Sequence, residues 1–163
     1  TGGHSMIIMD GGLGRQLEAR GAPFRQPEWS AAALIEGPHC VRAAHDAFIA
    51  AGADVISTNS YAVVPHHIGE ETYAERADEL LTIAAREARE AASAAERHVR
   101  VAASVPPMFG SYLPGAFDSP RGRQMMKQFR RQLAPVADIF CGETLGSIAE
   151  VTAYLDVFGD VAA

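Results

Sequence analysis

Residues 38–61, PHCVRAAHDAFIAAGADVISTNSY, decide the fold, because a helical pattern leads directly into an apolar strand with a polar end. Pro38 suits the first turn of a helix, and Gly52 suits the residue just beyond its last turn. Residues 54–58 are then a short, largely apolar segment with strand character. A helix, a strand and a polar loop in this order are typical of parallel α/β proteins.

Strand patterns alternate with helical patterns along the whole chain. We predict strands at residues 6–9, 54–58, 99–105 and 137–141. The connections are long enough for right-handed crossovers, so the pattern predicts a parallel sheet covered by helices. A doubly wound sheet and a (β/α)8 TIM barrel both fit. A whole barrel takes roughly 250 residues, so this chain of 163 residues corresponds to about four βα units, half of a barrel.

Start signals place three of the helices. Residues 72–75 (TYAE) and 147–150 (SIAE) have the spacing of capping boxes, and residues 119–120 (SP) predict a further helix start. For the last helix we expect one buried face, made by Val151, Tyr154, Leu155 and Phe158.

Composition and charge exclude several classes of protein. The net charge is −6 and the 14 basic residues are scattered, so we expect no nucleic acid or membrane partner. Apolar runs stay well short of the roughly 20 residues of a membrane span, and nothing near the start has the pattern of a signal peptide. Residues 1–5 precede Met6 and look like a cloning scar. The domain is therefore expected to occupy residues 6–163.

The cysteines and histidines do not form a metal motif. Cys40 and Cys141 are far apart and are expected to be buried small residues, which favours a reducing cytoplasm as the location. His45 lies on a helix face and is expected to be packed. The pair at residues 66–67 has no third ligand at a zinc spacing.

All four predicted strands end in polar groups. In parallel α/β folds ligands bind at the carboxyl ends of the strands, which here carry residues 10–12 (DGG), 58–61 (TNSY), Ser104 and Glu143. Most of these residues have a structural alternative. Asp and Gly favour turns, Asn59 can form an Asx turn, and aromatic residues such as Tyr61 can be core residues with a satisfied polar tip.

Glu143 has the clearest functional signal. It directly follows an apolar strand, where a buried carboxylate is unfavourable unless it meets a cation. A substrate ammonium is a natural partner for it.

In combination, these segments resemble the homocysteine S-methyltransferase family. The resemblance rests on residues 9–14 (MDGGLG), 29–30 (WS), 45–53 (HDAFIAAGA), 58–61 (TNSY) and 142–144 (GET), in the family's order. It implies a barrel enzyme that transfers a methyl group from a small donor to the sulfur of homocysteine, giving methionine. The donors used in the family are betaine, S-methylmethionine and methyltetrahydrofolate.

The resemblance also implies roles for individual residues. In the family, the first-strand motif holds the amino acid, the strand-four glutamate meets its ammonium, and two aromatic residues line the donor side in the betaine-using members. The implied substrate-binding residues here are Asp10, Gly11, Gly12, Asn59 and Glu143, and the donor-side residues are Trp29 and Tyr61.

Some features depart from the family. Residues 15–16 are Arg-Gln where the family often has Thr-Glu, and residues 106–107 are Pro-Pro where it often has Gly-Pro. Pro-Pro stiffens the loop and removes backbone donors, so the donor pocket can differ. The family's three zinc-binding cysteines come from later strands and have no counterpart here. Zinc is thus expected for a full-length member, with no ligand in this chain, and this chain alone is expected to be inactive.

Two other functions remain open. The chain could belong to another barrel enzyme acting on a small oxyacid, although no strand ends in a lysine that could form a Schiff base. It could also be a non-catalytic half barrel that binds an amino acid or forms a homo-oligomer. Since a half barrel exposes strand edges, we expect that the natural protein continues, that the chain is a remnant, or that two halves assemble.

Overall fold

The computed structural model describes residues 6–160 and has an α/β architecture around a small parallel sheet. Strands β1 (Val55–Ser57), β2 (Arg100–Val105) and β3 (Ile139–Gly142) are hydrogen-bonded in the order β1-β2-β3, and both pairs are parallel. The prediction of three of the four strands is therefore confirmed. The proposed scar at residues 1–5 lies outside the described residues, as do residues 161–163.

The first predicted strand is the exception, because residues 6–9 form only an isolated parallel bridge between Met9 and Val55. The Ile8 carbonyl accepts hydrogen bonds from the backbone amides of Asp54 and Val55, at 2.7 and 3.1 Å. The side chains of this segment are exposed, from 82% for Met6 to 42% for Met9. Little apolar burial therefore holds the segment, and it pairs with the sheet only near its end.

Seven α-helices and one 3-10 turn occur among the described residues. The helices are α1 (Leu13–Ala19), α2 (Ala31–Glu36), α3 (Pro38–Ala50), α4 (Pro65–Ile68), α5 (Glu70–Ala94), α6 (Ser119–Leu133) and α7 (Ile148–Phe158), and the 3-10 turn is Pro114–Ala116. None of the described helices is both long and apolar enough to cross a membrane.

Residues 38–61, the segment quoted first, form the predicted helix, strand and loop. Pro38 is the first residue of α3, and Gly52 follows the helix in the left-handed region with φ 105°, a conformation that glycine adopts at little cost. The chain then turns directly into β1. The 0%-exposed side chains of Val41, Ala44 and His45 pack the inner face of α3.

The two predicted capping boxes have different outcomes. The Ser147 hydroxyl accepts a hydrogen bond from the Glu150 amide at 3.1 Å, so α7 begins as predicted. The Glu150 carboxylate closes this turn by accepting from the Gly146 amide at 2.9 Å. Thr72 is not a cap, because α5 already begins at Glu70. Gly69 ends α4 at φ 81° and starts the new helix, which places Thr72 within its first turn.

The core lies between the sheet and helices α3, α5 and α6. The small and branched residues on one face of α5 are buried against it: Ala77, Leu80, Leu81, Ala84, Ala85 and Ala88. The predicted buried face of α7 is partly wrong. Phe158 is buried, but Val151 and Leu155 are 39% and 58% exposed, because α7 packs on α6 and β3 through a face that contains Ala153 and Val157 instead.

Candidate functional site

A cavity of about 560 Å³ opens where the carboxyl ends of the strands meet the loops that follow them. Residues that the sequence places far apart, from the first loop to the end of β3, contribute to its wall. All seven residues predicted from the sequence line this one cavity: Asp10, Gly11, Gly12, Trp29, Asn59, Tyr61 and Glu143. The structure thus brings the whole predicted set together.

Asp10 is held in place by the end of β1. Its backbone amide donates to the Val55 carbonyl at 2.9 Å, and its carboxylate accepts from the amide and the hydroxyl of Ser57 at 2.7 and 2.8 Å. Burial raises the pKa of Asp10, and the hydrogen bonds from Ser57 oppose part of that rise. The carboxylate is therefore oriented rigidly and is partly desolvated.

Glu143 directly follows β3 and, with Asp10, forms the acidic end of the cavity. Its backbone amide donates to the Val105 carbonyl at 3.0 Å, which continues the pairing with β2 by one residue. Burial raises the pKa of Glu143, the Ser104 hydroxyl opposes the rise, and the charge of Asp10 adds to it. Two carboxylates that repel each other in a partly desolvated site favour a bound cation.

Gly11 and Gly12 line the cavity beside Asp10. A Cβ atom at Gly11 would make an ordinary van der Waals contact with the Phe48 ring at 3.4 Å. Gly12 lies in front of α1 with extended backbone at φ −64° and ψ 99°.

The side chain of Asn59 bonds to a distant loop and not to its own backbone, as it would in the Asx turn considered above. Its side-chain amide donates to the Ser30 carbonyl at 3.0 Å, and the residue is only 2% exposed. This bond ties the loop after β1 to the segment that carries Trp29. Asn59 therefore shapes the wall of the cavity while also lining it.

Aromatic rings also line the cavity. Trp29 has a left-handed backbone, with φ 48°, and its ring meets Phe24 edge to face at a centroid distance of 5.7 Å. The Tyr61 hydroxyl is 2.6 Å from the Ser111 hydroxyl, which links the loops after β1 and β2. His67 lines the cavity too, and burial, together with the neighbouring His66, lowers its pKa.

Several lining residues were not predicted from the sequence. Ser57, Phe24 and Ser111 carry no motif, and only their packing in the folded chain shows that they reach the cavity. Ser57 could have been found from its place one residue before the polar strand end. His67 was considered only as a metal ligand.

The residues of this cavity do not provide a zinc site. Within residues 6–160, no group of three or more His, Cys, Asp and Glu side chains could hold a metal ion. Cys40 and Cys141 are both free thiols. Burial, followed by the charges of Glu143 and Asp10, raises the pKa of Cys141, which favours its protonated form over a ligating thiolate. The donor set present here therefore does not fit zinc.

Comparison with known proteins identifies the family. Residues 7–162 match the family model described as homocysteine S-methyltransferase. Homocysteine S-methyltransferase 2 of Zea mays is 32% identical over 93% of this chain and 51% of its own length. Selenocysteine Se-methyltransferase of Brassica oleracea var. italica is 30% identical over 98% of this chain and 53% of its own.

A solved structure has the same fold. The metallated form of the homocysteine methyltransferase MmuM from Escherichia coli superposes with a TM-score of 0.79 at 26% identity, covering 94% of this chain and 59% of MmuM. The chain spans about half the length of the curated relatives that it matches. On these matches, the chain belongs to the homocysteine S-methyltransferase family.

Proposed function

We propose that this chain is the homocysteine-binding front half of a (β/α)8 barrel that transfers a methyl group from a small donor to the sulfur of homocysteine, giving methionine. The observation that carries the proposal is a single cavity lined by two half-buried carboxylates and by aromatic rings. The match to the family model over residues 7–162 supports the same reading.

The acidic end suits the ammonium of an amino acid. Asp10 is fixed by Ser57, and Glu143 faces it with a raised pKa. An ammonium between them would offset the repulsion and the desolvation of both carboxylates. Gly11 and Gly12 line the cavity next to Asp10, so their backbone would lie beside the bound amino acid. These residues would bind homocysteine by its amino-acid end and direct its sulfur into the cavity.

The aromatic residues suit the methyl donor. Trp29 and Tyr61 line the cavity, Phe24 packs on Trp29, and Ser111 is hydrogen-bonded to Tyr61. Ring faces attract a cation within about 6 Å of their centroid, so a donor with its methyl group on a positively charged sulfur or nitrogen fits beside these rings. Methyl transfer removes that positive charge, and holding both reactants in one cavity supplies part of the rate.

The zinc expected for a full-length member needs ligands other than these residues, because the described donor set does not fit it. A free thiol of pKa near 8.5 is only a few per cent thiolate at neutral pH. Binding and orientation are thus the roles that we assign to this chain, and we predict no turnover from it alone. The two free cysteines support a reducing, cytoplasmic location; a homo-oligomer stays a prediction.

Substituting Glu143 in the protein of full genomic length tests this function. Glu143→Gln keeps the size of the side chain but removes its charge, so homocysteine-dependent formation of methionine, measured by mass spectrometry, should fall at least tenfold at low homocysteine. The matched control is Glu75→Gln, which changes an exposed glutamate on α5 in the same way and should leave the rate unchanged. Equal rates for the two variants would contradict the role of Glu143, and absence of methyl transfer in the unsubstituted protein would contradict the function.

A further inference from the structure

The Ser104 hydroxyl is buried at the acidic end of the cavity and lacks a well-aligned hydrogen-bond partner. Ser104 is the second-last residue of β2, is 2% exposed and lines the cavity together with Asp10 and Glu143. Its Oγ atom is buried and forms no hydrogen bond of acceptable geometry. Buried hydroxyls almost always have a partner, so this one points to a ligand.

The backbone of Ser104 is fixed from both sides. Its amide donates to the Thr58 hydroxyl at 3.0 Å, and its carbonyl accepts from the Ser60 hydroxyl at 2.7 Å. Thr58 and Ser60 are themselves linked through their hydroxyls at 2.8 Å. Only the side chain of Ser104 is left without a well-aligned partner, and the residue lines the cavity.

Glu143 is a neighbour of this hydroxyl, since Ser104 acts to lower the pKa of the Glu143 carboxyl. A hydroxyl has one proton to donate and two lone pairs that accept. It can therefore donate to a carboxylate and accept from a second group at the same time.

We propose that Ser104 is a further substrate-binding residue, whose hydroxyl donates to the Glu143 carboxylate and accepts one N–H bond from the substrate ammonium. The proposal rests on the proposed function, in which this end of the cavity binds an amino acid. An ammonium carries three donors, and Asp10, Glu143 and Ser104 would supply three acceptors around it. Ser104 thereby discriminates an amino acid from an otherwise similar thiol acid.

The test compares two ligands that differ only in the ammonium. Binding of L-homocysteine and of 4-mercaptobutanoate, which lacks the amino group, is measured by calorimetry on the protein of full genomic length and on Ser104→Ala. We expect about tenfold weaker binding of homocysteine to the variant, equivalent to about 1.4 kcal/mol, and unchanged binding of 4-mercaptobutanoate. An equal loss for both ligands, or no loss for either, would overturn the proposal.

Thermal unfolding separates this role from a structural one. Because the Ser104 hydroxyl forms no well-aligned hydrogen bond in the ligand-free protein, and only its effect on Glu143 is lost, Ser104→Ala should lower the melting temperature no more than a surface variant does. Thr152→Ala is the reference, since it removes an exposed hydroxyl that donates to the Ile148 carbonyl on α7. A melting temperature well below that of Thr152→Ala would overturn the proposal in favour of a structural role.

A second variant distinguishes loss of the hydroxyl from the loss of side-chain volume in Ser104→Ala. Ser104→Cys keeps the volume of the side chain but has only a weak donor and acceptor, so it should lose homocysteine affinity as Ser104→Ala does. Full affinity in Ser104→Cys would also overturn the proposal. Failure of the proposed function has a different signature, because the unsubstituted protein would then show no preference for homocysteine over 4-mercaptobutanoate.

Discussion

At the scale of single residues, the raised pKa of Glu143 has a consequence for stability. Burial is its main cause, and the charge of Asp10 adds to it. In the window between the ordinary carboxyl pKa and the raised one, the folded protein binds more protons than the unfolded chain. Stability therefore falls as the pH rises through that window.

Glu143→Gln should consequently stabilise the ligand-free protein at pH 8 and have little effect at pH 4. Thermal unfolding of both proteins across this range measures the difference, with Glu75→Gln as the control for loss of an exposed charge. A stabilisation of the same size at both pH values would show that the ionised form of Glu143 does not destabilise the ligand-free protein.

The pH dependence of stability that we expect from His45 has the opposite sign. Its ring is 0% exposed, neither ring nitrogen has a hydrogen-bond partner, and burial lowers its pKa to about 4. The unfolded chain then binds more protons between pH 6.5 and 4, so stability should fall by about 3 kcal/mol as the pH drops through this range. Denaturant unfolding of His45→Leu should show a smaller fall than the unsubstituted protein. A fall of equal size would contradict the assignment to His45.

Many of the residues that line the cavity were predictable from the sequence, because they belong to motifs at strand ends. Asp10, Glu143 and Tyr61 are conspicuous because they follow apolar segments and belong to an ordered set that resembles one family. Ser111 and Phe24 are not conspicuous, because their loops reach the cavity only through tertiary packing.

At the scale of elements, helix starts show what a local pattern can and cannot predict. Both capping boxes have the right spacing, but only Ser147 caps a helix, because α5 begins after Gly69, three residues earlier than the Thr72 motif requires. Helices α1, α2 and α4 have four to seven residues each. Such short helices show too little periodicity to predict, although α1 and α4 carry residues that line the cavity.

The two capping boxes form a matched pair for mutagenesis. Ser147→Ala should lower the free energy of unfolding by about 1 kcal/mol, because it removes the bond to the Glu150 amide. Thr72→Ala should change it by less than about 0.5 kcal/mol, since Thr72 does not cap α5. Urea unfolding of both variants measures the contrast, and a larger loss for Thr72→Ala would contradict the described start of α5.

At the scale of the whole molecule, the parallel order of the sheet was predictable from the alternation of strands and helices. The incomplete pairing of residues 6–9 was not, because it depends on how much of the segment becomes buried. Apolar side chains remain exposed both there and on α7, where Ile148 is 87% exposed. These two surfaces suit the neighbouring units of the proposed barrel, in which both would be covered.

The central claim is that Asp10 and Glu143 bind the ammonium of an amino acid in one cavity. A crystal structure of the protein of full genomic length with L-homocysteine tests this claim most directly. The account predicts the amino nitrogen within about 3 Å of the Glu143 carboxylate, with the sulfur directed toward Trp29 and Tyr61. Homocysteine bound with its amino nitrogen away from both carboxylates, or bound outside this cavity, would contradict it.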